Sequence, residues 1–393
     1  SYFEGSCWPL AKRGHNRDGK KGKLQVTYGL VTDRRGCPVA VSVFEGNTAD
    51  SKTLLPQVKR IQADFGIEQM VVVGDRGMIS QKAIDEFKRV PGVAWITAMK
   101  SAQIRALADE GGLQMGLFDE RSLFEFTHPD YPGERLVACR NRQLAQLRAA
   151  KRADLLKATA AELDKVCAMV ERKKLVGADK IGVRVGRVLN KYKVGKHFEL
   201  TIEKARFNYR IDEQKLAQEA TLDGIYVLRT PLRTEFIAAA DIVRSYKSLS
   251  DVERAFRSMK TVDLKVRPIH HHLPDRVRSH ILLCMLAYYV EWNMREAWRA
   301  LLFADEDQAA KATRDPVAPA MRSEPAERKA QTHSLSDGTP AHSFRTLLDE
   351  LSTIVRNTCR TTTDFAQAPT FTIVTQPDAV QQRALTLLET ITV

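Results

Sequence analysis

The chain has 393 residues, 44% of them hydrophobic, which allows two or three domains with sizeable cores. Lys and Arg number 61 against 48 Asp and Glu, a net charge of +13, and an excess of that size favours a polyanionic partner, nucleic acid ahead of a membrane. The six cysteines form no CxxC pair or zinc-ligand spacing, no signal peptide opens the chain, and the longest apolar run, residues 281–290, is too short for a bilayer, so the sequence argues against a disulfide-stapled or membrane protein and reads as cytoplasmic.

Residues 1–5 read as the end of a strand, as though the chain opened inside a domain. Residues 24–32 and 38–44 predict an antiparallel hairpin around the turn Asp33-Arg34-Arg35-Gly36. Asp50 caps a helix to residue 63, with Leu54, Leu55, Val58 and Ile61 on one face. Residues 70–73 are wholly apolar, the mark of a central strand covered on both faces, and they end at Gly74-Asp75. Ser80 caps a helix over 81–90, and 93–99 form another strand. A hairpin followed by strand–helix–strand alternation predicts an α/β fold, a mixed sheet with helices on both sides whose first part spans 1–99.

Residues 100–222 depart from this pattern and read as one β-rich insertion. It comprises irregular short strands to 140, a long solvated helix or helical hairpin over 141–172, and alternating β-structure over 182–210. Residues 223–230 resume the core strands, then 238–261 predict a helix and 275–302 a very apolar one, so the second part of the core spans 223–303. Residues 304–342, poor in large apolar side chains, read as a disordered linker, and 343–393 as a small helix–strand–helix tail.

Two segments carry candidate chemistry. In Val71-Val72-Val73-Gly74-Asp75-Arg76-Gly77-Met78, Asp75 sits at the carboxyl end of a strand, where open α/β sheets bind ligands. A carboxylate there can hold a divalent metal; the plainer reading is a turn aspartate making local hydrogen bonds. In the helix over 238–261, Tyr246, Glu253 and Lys260 recur every seven residues, with Arg257 close to their line. An α-helix drifts by only about 20° per heptad, so these residues share one stripe. Leu249, Val252, Phe256 and Met259 form a neighbouring apolar stripe, which puts Glu253 beside the buried edge with phenolic and basic groups placed to hold phosphates. The plainer reading is an amphipathic helix with solvated charges.

These residues resemble the Y-x2-R-x3-E-x6-K signature of IS4-like bacterial DDE transposases. Tyr246, Glu253 and Lys260 match its Tyr, catalytic Glu and Lys. Leu249 stands at the Arg position, leaving Arg244, Lys247 or Arg257 to supply that phosphate contact. The Val-Gly-Asp-Arg-Gly stretch is similar to the one carrying the family's second catalytic Asp, here Asp75. Residues 14–20, 45–50 and 264–270 resemble the IS1634-like branch of the group, and the resemblance covers roughly residues 1–300.

The resemblance implies an RNase H-like fold, with the insertion looped out between its two parts. It implies action on double-stranded DNA, the strand cleavage and strand transfer of cut-and-paste transposition. Asp75 and Glu253 would be the catalytic, metal-holding residues, with two Mg2+ or Mn2+ ions in a complete site. Tyr246, Lys247, Arg257 and Lys260 would lie on the DNA backbone. Holding two DNA ends together implies a homodimer on DNA, in the cytoplasm at the nucleoid. The first catalytic Asp would lie on a strand preceding Ser1, a position Glu4 does not match. Two alternatives compete with this reading. One is a truncated remnant that binds DNA or a full-length partner without catalysis. The other is a host RNase H-like nuclease, which needs neither the Tyr-Glu-Lys helix nor the basic insertion. His270-His271-His272 point in successive directions and read as a polar loop rather than a metal site.

Overall fold

The computed structural model describes residues 1–4, 8–14, 22–262, 264–319, 321–360 and 369–392, with backbone alone at 261–262 and 310–312. Cys7 and the family-like stretch at 15–20 lie outside these residues. In chain order the elements begin β1 (Val26–Thr32), β2 (Pro38–Glu45), α1 (Asp50–Phe65), β3 (Met70–Val73), α2 (Gln81–Phe87), β4 (Val93–Ala98), α3 (Ser101–Asp109), α4 (Leu117–Glu120), β5 (Leu123–Phe126) and β6 (Arg135–Arg140). They continue α5 (Arg142–Glu171), α6 (Ala178–Tyr192), β7 (Phe198–Ile202), β8 (Phe207–Ile211), α7 (Glu213–Ala220), β9 (Ile225–Thr230), α8 (Ala239–Lys247), α9 (Leu249–Arg257) and α10 (Pro274–Ala297). The last are α11 (Gln308–Thr313), α12 (Glu324–Thr332), α13 (Phe344–Leu351), β10 (Arg356–Arg360), β11 (Thr370–Val374) and α14 (Ala379–Leu388). No helix among the described residues is long and apolar enough to cross a membrane. The chain divides into two compact units, one of residues 1–67, 247–314 and 320–393, the other of 68–246 and 315–319.

In the first unit β1 and β2 pair antiparallel around the expected turn. Asp33 Oδ1 pins that turn by accepting from the amides of Arg35 and Cys37, at 2.8 and 2.9 Å. Val26 and Tyr28 of β1 are buried with Ala255 of α9 and with Val277, Ile281, Met285 and Tyr288 of α10. Phe3 and Trp8 stack in the same core, ring centroids 4.9 Å apart. Tyr2 bridges to Gln25 antiparallel and Phe3 to Ile269 parallel, each as an isolated bridge.

The second unit holds a five-stranded sheet in the order β3-β4-β9-β6-β5. β3 and β4 are parallel, joined through α2, and the other pairings are antiparallel, so the sheet is mixed, as the pattern predicts. The hairpin β1–β2, however, forms its own two-stranded sheet, so the single sheet expected for the core is divided. The expected insertion boundary at residue 100 is corrected as well. β5 and β6 are strands of the sheet, and β6 pairs with β9 over six positions, from Arg135↔Thr230 to Arg140↔Ile225. The excursion that leaves the sheet runs only from Asn141 to Gly224, whose amide and carbonyl close it with a 2.9 Å hydrogen bond. It is mostly helical, and its core of Leu163, Val166, Ile181, Val185, Phe198 and Phe207 is its own.

Two further expectations fail for physical reasons. Residues 182–192, read as alternating β-structure, are the body of α6, because Ile181, Val185 and Val188 also fall at helical spacing and are buried there. Residues 304–342, read as a disordered linker, carry α11 and α12. Lys329 of α12 is buried, its Nζ donating to the carbonyls of Ala300 and Leu302 at 3.2 and 3.1 Å, beyond the end of α10. A lysine counted as polar surface in composition here satisfies chain carbonyls that have no helical partner.

Candidate active site

The Asp75 turn follows directly from its sequence. β3 ends at Val73, and a Cβ on Gly74 would come within 2.9 Å of Ile79 Cγ1, so only glycine lets the chain turn this close to the buried Ile79. Asp75 is exposed, two residues past the carboxyl end of β3. Its Oδ1 accepts from the amides of Gly77 and Met78, at 3.0 and 2.8 Å. The local hydrogen bonds of the plainer reading therefore exist, but they use one oxygen. Ser80 then caps α2 by accepting from the Ala83 amide at 3.3 Å.

A group that the sequence did not advertise anchors the first turn of α2. Arg229 of β9 lies buried, its Nε and Nη2 each donating at 2.6 Å to the buried carboxylate of Glu134. Its Nη1 donates to Gln81 Oε1, at the first residue of α2, at 3.1 Å, and its guanidinium lies 4.8 Å from the Tyr131 ring centroid. The one available signal is an Arg inside the otherwise apolar run Ile225-Tyr226-Val227-Leu228-Arg229.

The signature helix is not continuous. α8 ends at Lys247, α9 begins at Leu249, and a π-helical turn (Ser258–Val262) follows. Ser250 Oγ donates to the Lys247 carbonyl at 2.9 Å, and the Asp251 amide makes an i to i+3 bond to Ser248. Serines that bond back to the chain in this way tighten and break a helix. Tyr246, Glu253 and Lys260 thus lie on three successive segments. Tyr246 belongs to the second unit, as does Asp75, and packs partly against Ile96, Leu228 and Val243. Lys247, Glu253, Arg257 and Lys260 belong to the first. There the exposed Glu253 stands beside buried Ala255, and Lys260 Nζ lies 5.5 and 5.9 Å from the ring centroids of Phe256 and Tyr28. Lys247 and Arg257 are exposed. Of the histidine triplet, all three are exposed in the loop before α10, as a polar loop requires.

Among the described residues, three potential metal ligands come within 4.8 Å of one another at Glu110, His128 and Asp130, outside the predicted site residues. Glu110 and Asp130 are exposed, and His128 Nδ1 accepts from the Asp130 amide at 3.3 Å.

The exposed Asp75 just beyond β3, a parallel strand of a mixed sheet, is what the sequence pattern places there, and the fold is α/β. The profile of the transposase DDE domain family matches residues 3–290, and the chain belongs to that family. No curated protein and no solved structure matches it.

Proposed function

We propose that the chain is the catalytic region of an IS4-like transposase that cuts and rejoins DNA in cut-and-paste transposition, with Asp75 and Glu253 as metal-holding acids. The observation that supports this best is the Asp75 turn. Two main-chain amides fix Oδ1, while Oδ2 accepts no hydrogen bond from a described residue at an exposed strand end. That is a hard, oriented oxygen donor of the kind Mg2+ or Mn2+ prefers. Glu253, exposed and in no ion pair with a described residue, offers a second. A divalent ion held there supplies charge stabilisation to the attacking and leaving oxygens of phosphoryl transfer. Lys247, Arg257 and Lys260 neutralise and position the DNA backbone, and Tyr246 contributes its phenol. Two copies act together on paired DNA ends.

The test is metal-dependent cleavage of a duplex bearing the element's terminal repeat. It compares the unchanged chain with the variants Asp75→Asn and Glu253→Gln. Cleavage should fall by about 10²-fold or more in either variant, the scale of one lost electrostatic contact to a transition state. Undiminished cleavage in either variant would remove that acid from the site.

A further inference from the structure

Helix α6 carries a charge pattern that the proposed site does not use. Lys180, Arg184, Arg187 and Lys191 are spaced by four, three and four residues, and all are exposed. At 3.6 residues per turn they fall within an arc of about 60°, along about 16 Å of helix axis. Ile181, Val185 and Val188 bury the adjoining side against the core of the excursion, which fixes the direction in which the stripe faces.

None of the four cations forms an ion pair with a described residue. Helices elsewhere in the chain treat their cations differently: Arg60 pairs with Asp64, Arg244 with Asp241, Arg278 with Asp275 and Arg295 with Glu291, each three or four positions away. In α6 the one acidic residue is Asp179, in the first turn. Glu162 of α5 lies within reach of the stripe's field, yet it is held below the usual carboxylate range first by Lys165 and only weakly by Lys191 and Arg184. Like charges at this spacing destabilise a helix, so the stripe carries a cost that pairing avoids elsewhere.

The neighbouring surface suits a long polyanion. Gly182 and Gly186 lie on a different side of the helix from the stripe, about 100° or more around the axis, and a Cβ on either would meet nothing within 4 Å. Val183 is the one exposed large apolar side chain of the helix, too little for insertion into a bilayer. Beyond the start of α6, Lys173 and Lys174 of the α5–α6 turn and Lys204 of the β7–β8 turn are exposed. The Gly177 amide, donating to the Lys204 carbonyl at 2.8 Å, ties the two turns together.

We propose that this face of α6, continued by Lys173, Lys174 and Lys204, binds the phosphate backbone of duplex DNA. The proposal rests on the DNA-acting reading above and adds to it where the excursion grips the duplex. Phosphates of one strand rise about 3.4 Å apiece, so 16 Å of stripe faces roughly five of them. The contact is independent of base sequence, because the residues are cations aimed at a backbone.

The experiment is fluorescence anisotropy of a labelled mixed-sequence duplex with the full chain across a salt series. The variant K180Q/R184Q/R187Q/K191Q is compared with R322Q/R328Q/R345Q/R383Q, which loses the same charge from the segment before α12 and from α12, α13 and α14. The α6 variant should lose at least about tenfold in affinity, and its slope of log K against log salt should fall by about 3 to 4, while the control keeps its slope. Equal behaviour of the two variants, or an α6 variant that binds as the unchanged chain does, overturns the proposal alone. Failure of the unchanged chain to bind the duplex overturns it together with the DNA-acting reading. Binding of phosphatidylserine vesicles in place of DNA also overturns it. Should the α6 variant not fold, lysine acetylation of the unchanged chain decides: DNA should shield Lys180 and Lys191 more than Lys52 and Lys59, and equal shielding counts against the surface.

Discussion

At the scale of single residues, Asp75 and Arg229 differ in how they are recorded in the sequence. Asp75 is legible because everything that places it is local: an apolar strand before it, Gly74 beside it, and amides two and three residues on. Arg229 and Glu134 are 95 residues apart, and no local pattern announces that they will meet in a buried, doubly hydrogen-bonded pair. Lys88 reaches the same carboxylate only at 3.9 Å, so Glu134 depends on Arg229 for its charge balance. Replacing Arg229 with Met leaves a carboxylate stranded in the core and removes the tie to Gln81 at the start of α2. A buried pair broken on one side typically costs about 3–5 kcal/mol. Arg229→Met should lower the urea-unfolding free energy of the second unit by that amount and speed amide hydrogen exchange over residues 75–84. A loss below about 1 kcal/mol would mean that the pair is neutralised by groups other than Arg229.

At the scale of elements, segments with a single period or an unbroken apolar run were readable, and elements with two competing periods were not. β3 forms over 70–73 where its apolar run predicts a strand, but it is the edge strand of its sheet and Val71 is exposed, so it is not the doubly covered central strand that such a run suggests. In α6, Val183 and Val185 alternate like a strand while Ile181, Val185 and Val188 repeat like a helix, and two glycines weaken the helical signal further. Packing of that apolar face against α5 decides the matter, which no single-sequence period can report. The same two glycines make the outcome testable. Both sit in a helix interior with open space around a would-be Cβ, so Gly182→Ala and Gly186→Ala should each raise stability by about 0.5–1 kcal/mol. Gly92→Ala should do the reverse. Gly92 has φ of 73°, and a Cβ there would lie 1.8 Å from the Glu68 carbonyl oxygen, so a loss of more than about 1 kcal/mol is expected. Urea unfolding of the three variants checks the signs. Destabilisation by either α6 alanine would show that those glycines serve a contact rather than a simple exposed surface.

At the scale of the whole molecule, the family match over residues 3–290 agrees with the transposase resemblance, and the chain leaves the five-stranded sheet at Asn141 and returns to it at Gly224. The boundary of the excursion was misplaced because β5 and β6 are short strands with irregular flanks, and only their pairing with β9 marks them as sheet. That pairing also shows how separable the excursion is. Its apolar core is drawn from residues between 155 and 216, and a part-buried ion pair near its base, Arg152 to Asp223, lies inside it. Arg140 and Ile225 are the last paired positions of β6 and β9, and Asn141 and Gly224 follow them. Deleting residues 142–223 would therefore leave Arg140-Asn141-Gly224-Ile225, a two-residue Asn-Gly link between antiparallel strands, and Gly224 already has φ of 75°. Asn-Gly is the preferred sequence for such a hairpin turn. The shortened chain should keep a cooperative melting transition with reduced helical circular dichroism, and it should lose the salt-dependent share of DNA binding assigned to α6. Collapse of the second unit on deletion would show instead that the sheet depends on the excursion for its own stability. Full DNA affinity in a folded, shortened chain would place the main DNA grip on the core rather than on α6.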